Sequence, residues 1–330
     1  MVGPRGTQPA IGFRADLDAL PITEETDAEY ASLNPGLMHA CGHDGHAAGL
    51  LALARRLVAG PTLSEPALLV FQQAEEGHPS GAPRVLRGLP GYLLPPEFIG
   101  FHLWPELPAG VIGLRSGALF TSVAGVTIHV SGSTGRVHGT TFGKDAVDGL
   151  AIGHEIYTAL SSMWSGRHPT DYQPVSLNIG RFEAGDEPNR VPTQCLMRGT
   201  LRALSWAEQD RAFEMIRETA AQIEGSRDAR VHASFESGIR PPVRNAAASV
   251  SRVRAACGHL GIDCRVYPEH PVGVSDDFGW YLDDSKGVLF FLGCAAMGGS
   301  PDLHTPTFDF DESVLLNYVD VAAELARNPM

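Results

Sequence analysis

Short apolar runs alternate with helix-like segments in the first third of the chain. The runs "AIGFRA", "PALLVFQQ" and "EFIGFHL" predict buried strands, and "HDGHAAGLLALARRLVAG" predicts a helix that ends at Gly60-Pro61. Strands that alternate with helices are typical of a largely parallel sheet with helices packed against it. Because ligands gather at the carboxyl ends of the strands in such sheets, the polar residues that follow these runs are the first candidates for chemistry.

The pattern changes at about Ser122. The segments "AGVTIHVSG", "KDAVDGLAIGHEIYTALSSM", "PVSLNIGRFE", "TQCLMRGTLRAL", "WAEQDRAFEMIRETAAQIEG" and "ARVHASFESG" predict strand, helix, strand, strand, helix, strand, which is the ferredoxin-like order. After Pro241-Pro242 the first pattern resumes with the helix "AAASVSRVRAACGHLG" and the strand "GVLFFLGC". We therefore predict an α/β domain with a mostly parallel sheet, formed by residues 1–121 and 238–330, and an inserted ferredoxin-like α+β domain of residues 122–237.

Composition narrows the class of protein. The 330 residues exceed the usual size of one domain, in agreement with a split into two. A net charge of -13 without a basic stripe argues against nucleic-acid binding, and the absence of a long uncharged apolar window argues against a membrane protein. Five dispersed cysteines and no apolar leader of signal-peptide form favour a reducing, cytoplasmic location.

The segment "MHACGHDGH" holds the densest cluster of reactive side chains. Cys41 and His43 are two positions apart beside glycines, at the start of a predicted helix, and these are the residue types that bind zinc-like ions. Two other interpretations stay open. Asp44 could cap a helix whose histidines are solvated, or Cys41 could be a nucleophile with His39 or His43 as its base.

Four more candidates follow predicted strands or glycine-rich loops. Glu75 and Glu76 come directly after "PALLVFQQ", His102 ends "EFIGFHL", and His304 lies in "GGSPDLHTPTF". Two neighbouring glutamates can divide the work of a hydrolytic site, one binding metal and the other accepting a proton from water. An acidic solvated loop and two structural histidines are the alternative, and the residues alone do not distinguish Glu75 from Glu76.

Seven motifs in this order resemble a known family: "FRADLDALPI", "MHACGHDGH", "FQQAEEG", "GFHLWPELPAG", "NRVP", "RGTLR" and "LHTPTFDF". They are similar to the metal-dependent amidohydrolases that include hippurate hydrolase, the indole-3-acetyl-amino-acid hydrolases and the N-acyl-amino-acid deacylases, within the aminoacylase and carboxypeptidase G superfamily. The resemblance extends from about Ile11 to Leu325.

The resemblance implies two divalent ions, zinc or manganese, and a role for each matched residue. Glu75 would be the general base for a water activated between the ions. Asn189 and Arg202 would bind the substrate, with Arg202 holding its free carboxylate. The implied metal ligands, with Cys41 bridging the two ions, are Cys41, His43, Glu76, His102 and His304, and Asp16 and Asp18 would support them by hydrogen bonds.

The chain departs from the family pattern at three places. Its N-terminal part is shortened, so we expect an edge or face of the sheet to be exposed or covered by a partner subunit. Where the family has a Gly-Gly-His segment whose histidine stabilises the oxyanion, this chain has Arg136, with His138 two residues further on, and both are catalytic candidates. The family's Ser-Glu-Asp-Phe is "SDDF", which makes Asp276 one methylene shorter than the usual glutamate.

The resemblance implies a metal-dependent amidohydrolase that cuts the amide bond of small N-acyl amino acids. The resemblance also implies that residues 1–121 and 238–330 form the metal-binding catalytic domain, that residues 122–237 form a lid and dimerisation domain, and that the protein is a homodimer. A metallocarboxypeptidase or dipeptidase with the same site, or a catalytically weak binding homologue, are the alternatives.

Overall fold

A computed structural model describes residues 1–4, 8–132, 147–164, 166, 168–227, 229–295 and 301–329. The chain forms two compact units. The first consists of Met1–Leu119, Val243–His270 and Asp276–Met330, and the second of Phe120–Pro242 and Pro271–Ser275.

The first unit is built on a six-stranded sheet. Its strands are β1 (Ile11–Asp16), β2 (Ala67–Gln72), β3 (Glu97–Pro108), β4 (Ile112–Leu114), β11 (Cys264–Val266) and β12 (Lys286–Ala295), and two further short strands, β5 (Gly117–Phe120) and β10 (Val243–Asn245), pair with each other. The strand order in the sheet is β11-β4-β12-β3-β1-β2, and the neighbours pair in parallel except β12 and β4. The mixed α/β fold with a largely parallel sheet, predicted from the alternation of strands and helices, is therefore confirmed.

Helices cover the first sheet because its strands are apolar on both faces. Phe98 and Phe101 of β3 point to opposite faces, where Phe98 packs against Tyr281 and Phe101 stacks on Tyr318. Leu50 and Leu53 belong to the same core as Phe101. The helices of this unit are α1 (His43–Ala59), α2 (Ala82–Gly88), α5 (Ala247–Leu260), α6 (Gly279–Asp283) and α7 (Leu315–Arg327), with 3₁₀ turns at Gly91–Leu93 and Glu312–Val314.

The second unit has a four-stranded antiparallel sheet, in the spatial order β7 (Val175–Ala184), β8 (Gln194–Ala203), β6 (Ser122–Gly132) and β9 (Ala229–Arg240). Burial alternates along β6, and the buried residues Val126, Ile128 and Val130 share a core with Ile156 and Ile216 of the two helices. The elements in chain order are β6 (Ser122–Gly132), α3 (Gly149–Met163), β7 (Val175–Ala184), β8 (Gln194–Ala203), α4 (Trp206–Ser226) and β9 (Ala229–Arg240).

Candidate metal centre

The predicted site residues of the first unit follow neighbouring strands of its sheet. Asp16 ends β1, Asp18 lies two residues beyond it, and Glu75 and Glu76 follow β2, which pairs with β1. His102 is different, because β3 continues from Glu97 to Pro108 and the prediction that a strand ends at this histidine is wrong. Since β1 lies between β2 and β3, the three strands bring these side chains to one region.

All five predicted ligands come together in two groups of three donors. Cys41, His43 and His102 form one group, and Cys41, Glu76 and His304 form the other, with the donor atoms of each group within 4.8 Å of one another. Cys41 belongs to both groups, because its Sγ lies 3.5 Å from His102 Nε2 and 3.2 Å from His304 Nε2. His304 Nε2 is also 3.0 Å from Glu76 Oε1.

One atom of the cluster indicates that the residues suit a cation. The Nε2 of His43 is buried and has no hydrogen-bond partner among the residues that the structure describes. The other ring nitrogen, Nδ1, lies 3.1 Å from the backbone oxygen of Asp18 and can donate to it, which leaves the lone pair on Nε2. A buried acceptor that faces a thiol and a second histidine fits a divalent ion, and the mixed sulfur, nitrogen and oxygen donors suit first-row metals.

The electrostatics of the cluster favour a thiolate at Cys41 beside protonated rings at His102 and His304. Burial opposes ionisation of Cys41, but the charge of His102 and hydrogen bonds with His102 and His304 lower the pKa of the thiol to about 6. Burial also opposes protonation of His102, and the charge of Cys41 outweighs it and raises the pKa of this histidine to about 9. Hydrogen bonds with Cys41 and Glu76 raise the pKa of His304 to about 10. A metal ion that binds at such a site displaces protons from the ligand side chains.

The local backbone explains how "CGH" directs two side chains to one point. Gly42 has a φ of 79°, the left-handed region, and a Cβ at this position would lie 2.9 Å from the side chain of Leu103. Helix α1 begins at the next residue, His43, with Gly42 as its N-cap and without a side-chain cap. The interpretation of Asp44 as the cap of this helix is therefore wrong, and Asp44 lies exposed in the first turn.

The two glutamates occupy different surroundings. Glu76 lies in the group with Cys41 and His304, and Glu75 lies in a buried group with Asp276 and Asp277. Both glutamates also form a group with His43. Glu75 Oε1 accepts a hydrogen bond of 3.3 Å from the backbone N–H of Asp277. Burial, together with the charges of Asp276 and Asp277, raises the pKa of Glu75 well above its usual range. A buried carboxylate of high proton affinity beside a ligand group has the properties of a general base.

Asp18 holds the turn that carries both glutamates. Its two carboxylate oxygens each accept a hydrogen bond of 2.9 Å, one from the backbone N–H of Glu75 and the other from that of Glu76. Ala74, just before the pair, has a φ of 56°, and this turn directs the two successive N–H groups to the same carboxylate. Burial opposes ionisation of Asp18, but hydrogen bonds from His43, Glu76 and Glu75 keep its pKa below the usual value.

Asp16 is part of a buried network that extends beyond the residues predicted from the sequence. Its Oδ1 accepts a hydrogen bond of 2.5 Å from His46 Nδ1, and its Oδ2 accepts one of 2.6 Å from Arg14. His46 Nε2 in turn accepts from the backbone N–H of Leu103 at 3.0 Å. The signal for Arg14 was present in the sequence, since it is a charged residue inside the apolar strand "AIGFRA".

The remaining predicted residues are in other parts of the chain. Asn189 and Arg202 belong to the second unit, where Asn189 is exposed and Arg202 is half-buried on β8 with its Nη1 3.3 Å from Thr121 Oγ1. Burial lowers the pKa of Arg202. Arg136 and His138 lie outside the described residues. Asp276, the shortened residue of "SDDF", accepts a 2.7 Å hydrogen bond from the backbone N–H of Phe278.

Comparison with known proteins identifies the family. Residues 12–328 match the description "Peptidase family M20/M25/M40". The chain belongs to this family. The resemblance to metal-dependent amidohydrolases is thereby confirmed, and the protein is a hydrolase of the amide-cleaving type. Within the described part of the chain, no helix is both long and apolar enough to cross a bilayer.

Individual M20 relatives are similar over almost the whole chain. An N-acetyldiaminopimelate deacetylase of Pediococcus pentosaceus is 31% identical over 327 residues, which are 97% of this chain and 81% of the relative. An N-acetyl-L-cysteine deacetylase of Bacillus subtilis is 31% identical over 311 residues, 93% of this chain and 71% of the relative. The crystal structure of the Bacillus subtilis YXEP protein, described as a dinuclear metal binding peptidase of the M20 family, has a TM-score of 0.82 and 29% identity over 99% of this chain and 83% of its own.

Proposed function

We propose that this M20 protein hydrolyses the amide bond of small N-acyl amino acids with the help of two divalent ions, zinc or manganese. The observation that carries the proposal is the position of Cys41, whose Sγ belongs to two separate three-donor groups. One ion would be held by Cys41, His43 and His102, and the other by Cys41, Glu76 and His304. Two divalent ions, when bound, lower the pKa of water and polarise an amide carbonyl.

Glu75 is the general base in this proposal. Its carboxylate takes a proton from the attacking water and returns it to the nitrogen of the leaving amine. The raised pKa of the buried Glu75 supports this role, because the group holds the proton between the two transfers. The hydrogen bond from Asp277 N–H to Oε1 fixes the direction of the carboxylate. Asp16 and Asp18 support the ligands and the base from behind.

The first unit is then the metal-binding catalytic domain and the second a ferredoxin-like lid and dimerisation domain of a homodimer. The order β7-β8-β6-β9 with two helices supports the ferredoxin-like assignment. In this domain Arg202 would bind the carboxylate of the substrate, and Asn189 would contact the acyl amino acid. Partial burial lowers the pKa of Arg202, which means that its positive charge is incompletely solvated. A substrate carboxylate would stabilise that charge, in agreement with the proposed role.

The test is a comparison of Glu75→Gln with Glu76→Gln. The purified protein is assayed for amine release from a panel of N-acyl amino acids and dipeptides, with metal content measured by elemental analysis. We expect Glu75→Gln to retain metal and lose at least about 100-fold in kcat, because general base catalysis contributes about 100- to 10,000-fold. Glu76→Gln is expected to lose metal.

Three outcomes would contradict the proposal. Loss of metal in Glu75→Gln with retention in Glu76→Gln would mean that the two roles are reversed. Turnover of dipeptides alone would favour a dipeptidase, and bound metal without turnover on any substrate would favour a binding homologue.

A further inference from the structure

Arg14 is a fully buried cation on β1 of the first unit. Its three guanidinium nitrogens each meet a different side chain: Nε donates to Gln72 Oε1 at 2.9 Å, Nη1 to Asp16 Oδ2 at 2.6 Å, and Nη2 to Asp277 Oδ1 at 2.6 Å. The side chain is 1% exposed. An arginine donates from three separate nitrogens of one rigid plane, whereas the three N–H groups of a lysine are all on one nitrogen, which cannot reach three acceptors placed around a guanidinium.

The contact with Asp277 leads to Glu75. The carboxylate of Asp277 also accepts two hydrogen bonds of 2.8 Å from Gln72 Nε2 and one of 2.9 Å from the backbone N–H of Ala82. These contacts hold the backbone of Asp277, whose own N–H donates to Glu75 Oε1. Arg14 therefore fixes the segment that directs the carboxylate of Glu75.

The contact with Asp16 leads to the ligand side. The other oxygen of Asp16 accepts from His46 Nδ1, and His46 Nε2 accepts from the backbone N–H of Leu103, next to His102. Both ring nitrogens of His46 are hydrogen-bonded, so the ring connects Asp16 to β3 in a fixed orientation. Asp16 Oδ2 also lies 3.7 Å from His43 Nε2.

We propose that Arg14 is a positioning residue that joins the general base to the metal ligands, holding Glu75 through Asp277 and holding the backbone beside His102 through Asp16 and His46. The inference rests on the proposed function. It states that one buried guanidinium fixes the position of the general base relative to the metal ligands. A purely structural cation would not need one partner that connects to the general base and another that connects to the ligands. Apolar side chains of similar volume can replace a buried ion pair without loss of stability.

The experiment compares Arg14→Lys with Arg252→Lys. Arg252 is a matched control, because it pairs with the buried carboxylate of Glu97 and donates to the backbone oxygens of Leu325 and Asn328, in the same unit but in none of the contacts of the site. Three quantities are measured for each: kcat and KM with an N-acyl amino acid, the affinity and absorption spectrum of bound Co²⁺, and the thermal unfolding midpoint without metal.

Arg14→Lys is expected to reduce kcat and Co²⁺ affinity by about 10- to 100-fold each, the range typical of groups that orient metal ligands, and to change the Co²⁺ spectrum. KM should change little, because the substrate contacts are elsewhere. Arg252→Lys should lower the unfolding midpoint and leave kcat and the Co²⁺ spectrum unchanged. If Arg14→Lys behaves in the same way as Arg252→Lys, the proposal is overturned.

Two single-contact variants keep the test informative if Arg14→Lys does not fold. Asp277→Asn should reduce kcat and leave the Co²⁺ spectrum unchanged, whereas Asp16→Asn should weaken Co²⁺ binding. Identical effects of the two variants on both quantities would contradict two separate connections from Arg14. Because Co²⁺ binding is measured without turnover, failure of the inference is distinguishable from failure of the proposed function, in which the wild type itself would not turn over.

Discussion

Asp18 shows how one small side chain can organise several others. It accepts from the backbone N–H groups of Glu75 and Glu76, and its own backbone oxygen lies against His43 Nδ1. The same residue therefore orients the backbone of a candidate base and of a candidate ligand carboxylate. Its backbone oxygen also determines which ring nitrogen of a candidate ligand histidine carries the proton. This is support from behind the ligands, where a change affects the site without removing a ligand.

Replacing Asp18 with asparagine should disturb the turn that carries the glutamates. An amide offers one oxygen and one NH₂ group, so one of the two backbone N–H groups would face a donor and lose its acceptor. We expect kcat to fall by about 10- to 100-fold while the overall fold persists. The measurement is steady-state kinetics on metal-loaded protein, with circular dichroism as the check of folding.

Asp320→Asn is the control for this prediction. Asp320 forms an exposed ion pair with Arg56 at 2.9 Å on the same unit, so its loss should change stability by less than about 1 kcal/mol and leave kcat unaltered. Equal kcat values for Asp18→Asn and wild type would show that the turn keeps its shape without the second acceptor.

At the scale of elements, the turn between β2 and α2 is tightly constrained by its own backbone. Gly81 N–H donates to Ala74 O at 2.8 Å, which closes the loop around Glu75 and Glu76. A Cβ at Gly81 would lie 1.7 Å from the backbone oxygen of Gln73, a distance that no small adjustment of a side chain can relieve. The loop can therefore keep its present path only with glycine at this position.

Gly81→Ala should consequently move both glutamates. A misplacement of about 1 Å at a reacting group can cost about 100-fold in rate, so we expect a loss of that order in kcat and weaker metal binding. Gly88→Ala is the matched control on α2, because a Cβ there meets nothing within 4 Å and alanine favours the helix. Near-normal kcat in Gly81→Ala would show that the loop has another path available to it.

The strong periodic elements could be predicted from sequence, and the short ones could not. The run "HDGHAAGLLALARRLVAG" matches α1, His43–Ala59, and "PALLVFQQ" matches β2, Ala67–Gln72. Helix α2 has only seven residues, too few for a helical period to be recognised, and β3 continues beyond His102 because Trp104 and Leu107 are also buried. The pattern of apolar residues in the sequence predicts which segments are buried, but the residue at which a strand ends depends on the neighbouring strands of the sheet.

The candidate ligands and the supports Asp16 and Asp18 could be predicted from residue type together with the family resemblance, whereas Arg14 and His46 could not. Arg14 was overlooked because a charged residue in a strand is ordinarily solvated, and its three partners are separated from it by up to 263 positions in sequence. The role of His46 could not be predicted either, since no local pattern indicates that its two ring nitrogens connect Asp16 to Leu103. Such contacts depend on the arrangement of distant strands, which a single sequence does not specify.

At the scale of the whole molecule, the five candidate ligands all belong to the first unit. They extend along the chain from Cys41 to His304 and come from a helix start, a loop after a strand, a strand and a loop near the C-terminus. A bound ion would therefore cross-link segments of the first unit that are distant in sequence. The core of the second unit is formed by a separate set of side chains.

Removal of metal should consequently destabilise the two units unequally. An ion at about 100 times its Kd stabilises the state that binds it by about 2.7 kcal/mol, and chelation removes that contribution. In hydrogen exchange with and without EDTA, amides of α1, β3 and β12 should lose protection, while amides of β6 and β8 serve as the internal control and should exchange at unchanged rates.

Cys41→Ser protein should show the same exchange pattern without EDTA, since a serine hydroxyl is a poorer ligand than a thiolate. Equal loss of protection in β6 and β12 would contradict an ion held within the first unit, because metal confined there makes no contact that the strands of the second unit would lose.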